Sequence, residues 1–162
     1  MAENEKRLHR CCFTGHRPEK LYLTEKEIVK MLEEQIKKAI EDGYVTFITG
    51  MARGIDIYAG EIVLKLRKKN KDLHLVCALP FDGFETRWSP DWQKRYNKIL
   101  KKADIVKCIS QNYHPRCFQD RNEWMVDRSN LIIAAYNGEP GGTRNTINYA
   151  KEKQVEIRVI DC

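Results

Sequence analysis

A chain of 162 residues, 42% hydrophobic and 32% charged, has room for one domain around one core, and its composition is that of an ordinary globular protein. No apolar run approaches the roughly 18–20 residues of a membrane span. The charged start Met1-Ala2-Glu3-Asn4-Glu5-Lys6-Arg7 has no signal-type apolar segment behind it, so a cytoplasmic protein without a membrane partner is expected.

The net charge of +6, from 29 Lys plus Arg against 23 Asp plus Glu, favours anionic ligands and permits nucleic acid without demanding it. Much of it lies on helical stretches, as Lys37-Lys38, Arg67-Lys68-Lys69 and Lys101-Lys102. Solvated faces and helix C-termini account for such pairs on their own. The six cysteines, Cys11, Cys12, Cys77, Cys108, Cys117 and Cys162, contain no CxxC pair. Cys11, Cys12, Cys77 and Cys108 fall in apolar strand-like runs, where a free thiol packs as a small hydrophobe. Cys108, His114 and Cys117 lack regular zinc-ligand spacing, so no metal site is expected, and in a reducing compartment no disulfide.

In chain order, His9 to Phe13 reads as a strand ending at Thr14-Gly15. Thr24-Glu25-Lys26-Glu27 is a capping box. It opens a helix whose apolar stripe runs through Ile28, Met31, Leu32, Ile36, Ala39 and Ile40 and stops at Asp42-Gly43. Tyr44 to Thr49 is a β-branched strand. Ile55, Tyr58, Ala59, Ile62, Val63 and Leu66 form a second helical stripe, and Leu73 to Leu79 a third strand. Ser89-Pro90 begins a helix with Trp92, Tyr96, Ile99, Leu100 and Ala103 inward. Trp88 and Trp92 are four residues apart and are expected on one face of it. Ile105 to Ile109 is a strand, Gln119 to Arg128 a helix, Leu131 to Tyr136 a strand, Thr143 to Lys153 a helix, and Val155 to Ile160 a last strand. Such alternation predicts an α/β Rossmann-like, doubly wound, mostly parallel sheet with helices on both faces, one domain over 1–162.

In such sheets ligands bind outside the carboxyl ends of the strands. Four turns at that edge carry unusual chemistry. Thr14-Gly15-His16-Arg17-Pro18 offers close backbone approach together with a hydroxyl, an imidazole and a guanidinium. In Thr49-Gly50-Met51-Ala52-Arg53-Gly54-Ile55-Asp56, small residues present helix N-terminal N–H groups to an anion and Arg53 adds a fork. Asp56 can accept a ribose hydroxyl, cap the helix or hold Arg53. Gly141-Gly142-Thr143 opens another helix as a phosphate-cradle arrangement, although a Pro-Gly-Gly turn also serves simple chain reversal. Phe81 to Trp88, with Glu85 and Arg87 beside aromatics, suits a base or sugar rim, a dimer contact or a packed loop equally. The edge as a whole reads as a pocket for a phosphate-bearing, nucleotide-type ligand.

Together these turns resemble the SLOG superfamily, which unites the Rossmann domain of the DNA-processing protein A with the lonely-guy phosphoribohydrolases, and within it the YpsA-like branch. Ile48 to Asp56 is similar to the S-G-x-A-R-G-I-D signature of the DNA-processing protein. Gly142-Thr143-Arg144-Asn145-Thr146 resembles its later glycine–hydroxyl segment, and Thr14 to Pro18 the opening motif of the YpsA-like branch. The resemblance covers the chain from about Arg10. It implies a Rossmann-like sheet, a nucleotide-derived ligand and a homo-oligomer.

Lonely-guy hydrolases have an arginine, matched by Arg121, and a P-G-G-x-G-T-x-x-E motif whose start is matched by Pro140-Gly141-Gly142. Their catalytic glutamate falls on Asn148, and an amide cannot supply that carboxylate. Glu85, Glu123 and Glu139 could substitute in principle, but none occupies the matching place. The expectation is therefore binding or sensing of a nucleotide, ADP-ribose or NAD-like, with no other cofactor firmly implied. Its phosphates would lie over Gly50 to Gly54 and Gly141 to Thr143. Arg17, Arg53 and Arg128 would neutralise charge, and Thr14, Asp56 and Asn122 would read sugar hydroxyls. N-glycosidic cleavage using Arg121 and single-stranded DNA binding stand as the alternatives.

Overall fold

The computed structural model describes residues 3–162. Its strands are β1 (Arg10–Gly15), β2 (Thr46–Thr49), β3 (His74–Phe81), β4 (Ile105–Ser110), β5 (Leu131–Tyr136) and β6 (Glu156–Asp161). The helices are α1 (Glu3–Arg7), α2 (Glu25–Glu41), α3 (Ile55–Arg67), α4 (Pro90–Lys102), α5 (Cys117–Asp127) and α6 (Gly142–Glu152). α1 and the 3₁₀ turn Pro18–Lys20 carry no apolar period and are absent from the sequence reading. The capping box closes both ways: Thr24 Oγ1 accepts from the Glu27 amide (3.2 Å) and Glu27 accepts from the Thr24 amide (3.0 Å). Ser89 is extended ahead of Pro90 but makes no side-chain cap bond.

All strand pairs are parallel, in the order β4-β3-β2-β1-β5-β6. Three successive strands, β2, β3 and β4, run outward from β1. The chain then crosses through α5 to place β5 on the other side of β1. The reversal of direction therefore lies between β1 and β5, where Thr14 pairs with Ala134 and Gly15 with Ala135. This is the doubly wound α/β sheet that alternation predicts.

Alternate side chains leave each strand on opposite faces. Cys11, Phe13, Phe47, Leu75 and Cys77 meet α2, α3 and α4 in the larger core cluster. Cys12, Ile48, Val76 and Ile132 meet Met125 and Val126 of α5 and Ala150 of α6 in the smaller one. Two helices cover less of a six-stranded sheet than three. The expectation that Cys108 packs as a core residue fails for a different reason: it stands beside Leu79 on the three-helix face, but on the outermost strand. β4 is an edge strand, where Cys108 is exposed and Ile105 and Val106 are 59% and 46% exposed. Cys11, Cys12 and Cys77 are buried as expected.

One contact sets how closely α3 approaches the sheet. A Cβ on Gly15 would lie 2.3 Å from Cγ1 and 2.6 Å from Cβ of the buried Ile55. Ile55 is β-branched near its backbone and cannot swing aside. Gly15→Ala is expected to lower stability by about 1–3 kcal/mol, as overpacking does, and a urea unfolding curve beside wild type checks it.

Candidate functional site

The carboxyl edge assembles the first two turns into one pocket. Arg17, Ala52 and Arg53 face Phe84, Trp88 and Phe118 across a cavity of about 180 Å³. Arg17 is exposed and makes no ion pair among the described residues, whereas Arg53 is held by Glu19 at 2.6 Å. The aromatic wall is a packed cluster: Phe84 lies 5.2 Å from Trp88, 5.7 Å from Tyr96 and 6.4 Å from Phe118 between ring centres. The Phe81 to Trp88 segment is thus a pocket rim and a packed loop at once. Trp88 precedes α4 instead of sharing a face with Trp92. It packs on Phe84 and Tyr96, while Trp92 lies against Tyr58.

Behind this wall sits a buried charged centre. Arg121 is 5% exposed and Asp56 7%. The Arg121 guanidinium donates to the Gly50 carbonyl (2.6 Å) and to Asn122 Oδ1 (2.9 Å), and it stacks 5.6 Å from the Phe118 ring centre. A Cβ on Gly50 would lie 2.9 Å from Asp56 Oδ2 and 3.0 Å from Arg121 Cζ, so only glycine fits between them. Asp56 Oδ2 accepts from the Ala52 amide (3.2 Å), while Oδ1 is buried with no partner among the described residues. Asp56 therefore ties down its own turn without capping by the usual preceding position, which is Gly54 at φ 92°.

Charges in this centre act on one another. Burial raises the Asp56 carboxyl to about 6, against the opposing pull of Arg121, the Ala52 amide and Arg17. Burial also lowers Arg121, with Asp56 opposing and Arg17 adding repulsion. Two cations and one reluctant acid leave a local positive excess, which an anion relieves.

The third turn is joined to the first on the other side of β1. His16 is buried and stacks 5.6 Å from Tyr136, whose hydroxyl accepts from Arg144 Nε at 2.8 Å. Asn137 donates to the Lys20 carbonyl (3.1 Å). His16 Nε2 has no partner among the described residues. Burial and Lys20 hold its imidazole below the usual range, with Glu139 and Asn137 opposing, which favours the neutral ring. Gly142 is open to solvent, Thr143 is buried, and Gly141 takes φ 141°.

Several expected site residues lie elsewhere or contribute differently. Arg128 caps the far end of α5, stacked 4.3 Å from Trp124 near Arg10, the first residue of β1. α5 runs antiparallel to the strands, so its C-terminus reaches the amino edge, opposite the pocket. The Met51 side chain is fully buried in the larger core, at a left-handed φ of 62°, leaving only its backbone at the turn. Its amide donates to Thr49 Oγ1 (3.3 Å). Glu123 binds Arg116 (3.3 Å) and Gln119 (3.0 Å), and Glu85 faces the Tyr96 hydroxyl. Asn148 is exposed on α6. Phe118 was missed, although it stands three residues before Arg121 and so on the same helical face.

A six-stranded parallel sheet with its turns gathered at the switch in strand order defines a Rossmann-like α/β protein with a pocket lined by two arginines at its carboxyl edge. The YpsA family model, described as the YspA SLOG family, matches residues 11–162, and the chain belongs to this family. It is 35% identical over 147 residues to the uncharacterized SPbeta prophage-derived protein YoqJ of Bacillus subtilis, covering 83% of this chain and 84% of that one. It is 30% identical over 140 residues to the UPF0398 protein BH1768 of Halalkalibacterium halodurans, covering 82% and 74%. The fold is similar to DNA processing protein A from Streptococcus pneumoniae (TM-score 0.69, 17% identity), matching 96% of this chain and about half, 51%, of that one. It is also similar to the Helicobacter pylori protein, described for its single-stranded DNA binding mode (TM-score 0.65, 19% identity, 99% and 68% covered).

The raised Asp56 carboxyl has a consequence for folding. Its folded value, about 6, exceeds the ordinary 3.8, so the folded chain holds this proton more tightly than the unfolded chain. The stabilisation is full below about pH 4 and is lost as pH rises through about 6. Wild-type stability minus that of Asp56→Asn should therefore fall by on the order of 2–3 kcal/mol between pH 4 and 7. Urea unfolding of both proteins across that range measures it.

Proposed function

We propose that the chain binds a nucleotide-derived ligand at the carboxyl edge of its sheet. The observation that carries this reading is the buried, unpartnered Asp56 Oδ1 beside Arg121, under a pocket formed by two arginines and three aromatic rings. A buried carboxylate oxygen without a partner is costly, and a ribose hydroxyl donating to it would remove that cost. Arg17 and Arg53 would take phosphate oxygens, and Phe84, Trp88 or Phe118 would face the base. His16 Nε2, also unpartnered, would take a second polar group toward the third turn. The ligand class is a nucleotide of the ADP-ribose or NAD type. Asn148, in the position that lonely-guy hydrolases fill with glutamate, supports binding over cleavage.

Thermal unfolding tests this reading with AMP, ADP, GMP, ADP-ribose and NAD at millimolar concentration. At saturation at least one should raise Tm by several degrees, the size expected for about 2–3 kcal/mol of linkage. Arg17→Ala should abolish the rise and leave the ligand-free Tm in place, because Arg17 is exposed and without an ion pair among the described residues. A flat Tm across the whole set sinks the proposal.

One observation favours a second reading, in which the nucleotide unit belongs to a single strand of DNA. The structural similarity extends to a DNA processing protein described for its single-stranded DNA binding mode, and arginines beside aromatic rings suit a stacked, phosphate-linked base. Anisotropy of a labelled oligo-dT should then rise at low salt and fall steeply as salt is added. No change at low salt excludes this reading.

A further inference from the structure

A larger cleft lies at the other end of α3. It has a volume of about 590 Å³, within the roughly 300–1,000 Å³ range of ligand clefts, and it runs between α3 and α4 down to the starts of β3 and β4. Its apolar surface is half-buried Leu64 with the methylene stems of the surrounding lysines, since Leu73 and Ile99 are fully buried. Its rim is basic, with seven Lys or Arg side chains against Glu61 and Asp104.

Three of those cations are already committed. Arg67 donates to Asp104 Oδ2 (2.7 Å) and to the Lys102 carbonyl (2.8 Å). Arg95 is bound by Glu61 (2.6 Å) and Glu25 (3.1 Å) and stacks on Trp92 at 4.8 Å. Lys65 pairs with Glu33. These pairs fix the walls. Lys68, Lys71, Lys98 and Lys102 make no ion pair among the described residues. Complementing a helix C-terminus explains Lys102 and the α3 C-cap Lys68, but not Lys98 or Lys71. Lys98 is more than a turn before the end of α4, and Lys71 lies in the loop after α3.

We propose that this cleft is a binding site for an acidic peptide segment carrying aliphatic side chains, presented by a partner protein. Carboxylates on the segment meet the four unpaired lysines, and a leucine or isoleucine seats on Leu64 and the methylene stems of the lysines. Charge complementarity selects an acidic occupant, and Leu64 with the lysine stems selects one with apolar side chains. A single nucleic-acid strand fits less well, because binding of bases uses broad aromatic platforms and the cleft is lined by no Phe, Tyr or Trp, its only aromatic ring being that of His74. The site is independent of the nucleotide pocket, which lies at the opposite edge of the sheet.

The test uses the full chain and a fluorescein-labelled, Glu-rich decapeptide with two leucines, followed by anisotropy at low salt. Three controls accompany it: the same peptide with Glu replaced by Gln, the same with Leu replaced by Ser, and labelled oligo-dT. The Glu/Leu peptide should bind with a Kd on the order of tens of micromolar, and both altered peptides about tenfold or more less tightly. The double variant Lys68→Glu/Lys98→Glu should weaken binding about tenfold or more while keeping the wild-type unfolding midpoint. Because both lysines are exposed, Lys71→Glu/Lys102→Glu serves as a second such variant with the same expected loss. Equal binding of the serine peptide, tighter binding of oligo-dT that the same variants abolish, or peptide binding that neither variant changes would each overturn the proposal.

Discussion

The hydrogen bond from the Arg121 guanidinium to the Gly50 carbonyl holds the carboxyl edge together. Arg121 belongs to α5, on one face of the sheet, and Gly50 begins the turn that leads to α3 on the other. A buried guanidinium is tolerable only when its donors are satisfied and an opposite charge stands nearby. Gly50, Asn122 and Asp56 meet those needs together, and each is placed by the others. The absent side chain at Gly50 lets the cation and the acid approach the same stretch of backbone. The left-handed turn at Met51 then carries the chain to the N-terminus of α3, with Thr49 bonding both Met51 and the Asp56 carbonyl.

From that constraint the rest of the edge follows. α3 is the central helix of its face and is buried along most of its length, since α2 and α4 flank it. Its first residue presses on Gly15, and Pro18 approaches Gly54, so the first and second turns cannot move separately. His16, Tyr136 and Arg144 extend the same linkage to the third turn. The three turns leave β2, β1 and β5, which are neighbours in the sheet. A rigid edge of this kind presents its polar groups before any ligand arrives, which lowers the ordering cost of binding.

Much of this was readable from the chain itself, and the misses have physical causes. The capping box at Thr24 and Glu27 and the glycine turns depend on residues close in sequence, so local spacing reveals them. Arg121 and Asn122 were found by likeness to a family, yet Phe118 on the same face was not, because an aromatic three residues away looks like ordinary core. Arg128 shows a different limit. Spacing indicates that it ends a helix, but only the direction of α5 against the strands tells which edge that end reaches. The exposure of Ile105 and Val106 depends on strand order, since an edge strand and a central strand carry similar apolar runs. Trp88 and Trp92 share a helical spacing that proline at position 90 interrupts by starting the helix between them.

If the pocket takes an anion as proposed, the Glu19–Arg53 ion pair would make it selective by charge number. In the resting protein Glu19 already neutralises Arg53, so a weakly charged ion entering the pocket gains little that the carboxylate does not supply. A ligand with two or more negative charges can hold Arg53 and Arg17 together, and a single surface carboxylate cannot match it. On the proposed reading the acidic side chain would act as a threshold that a polyanionic ligand crosses and a monovalent anion does not.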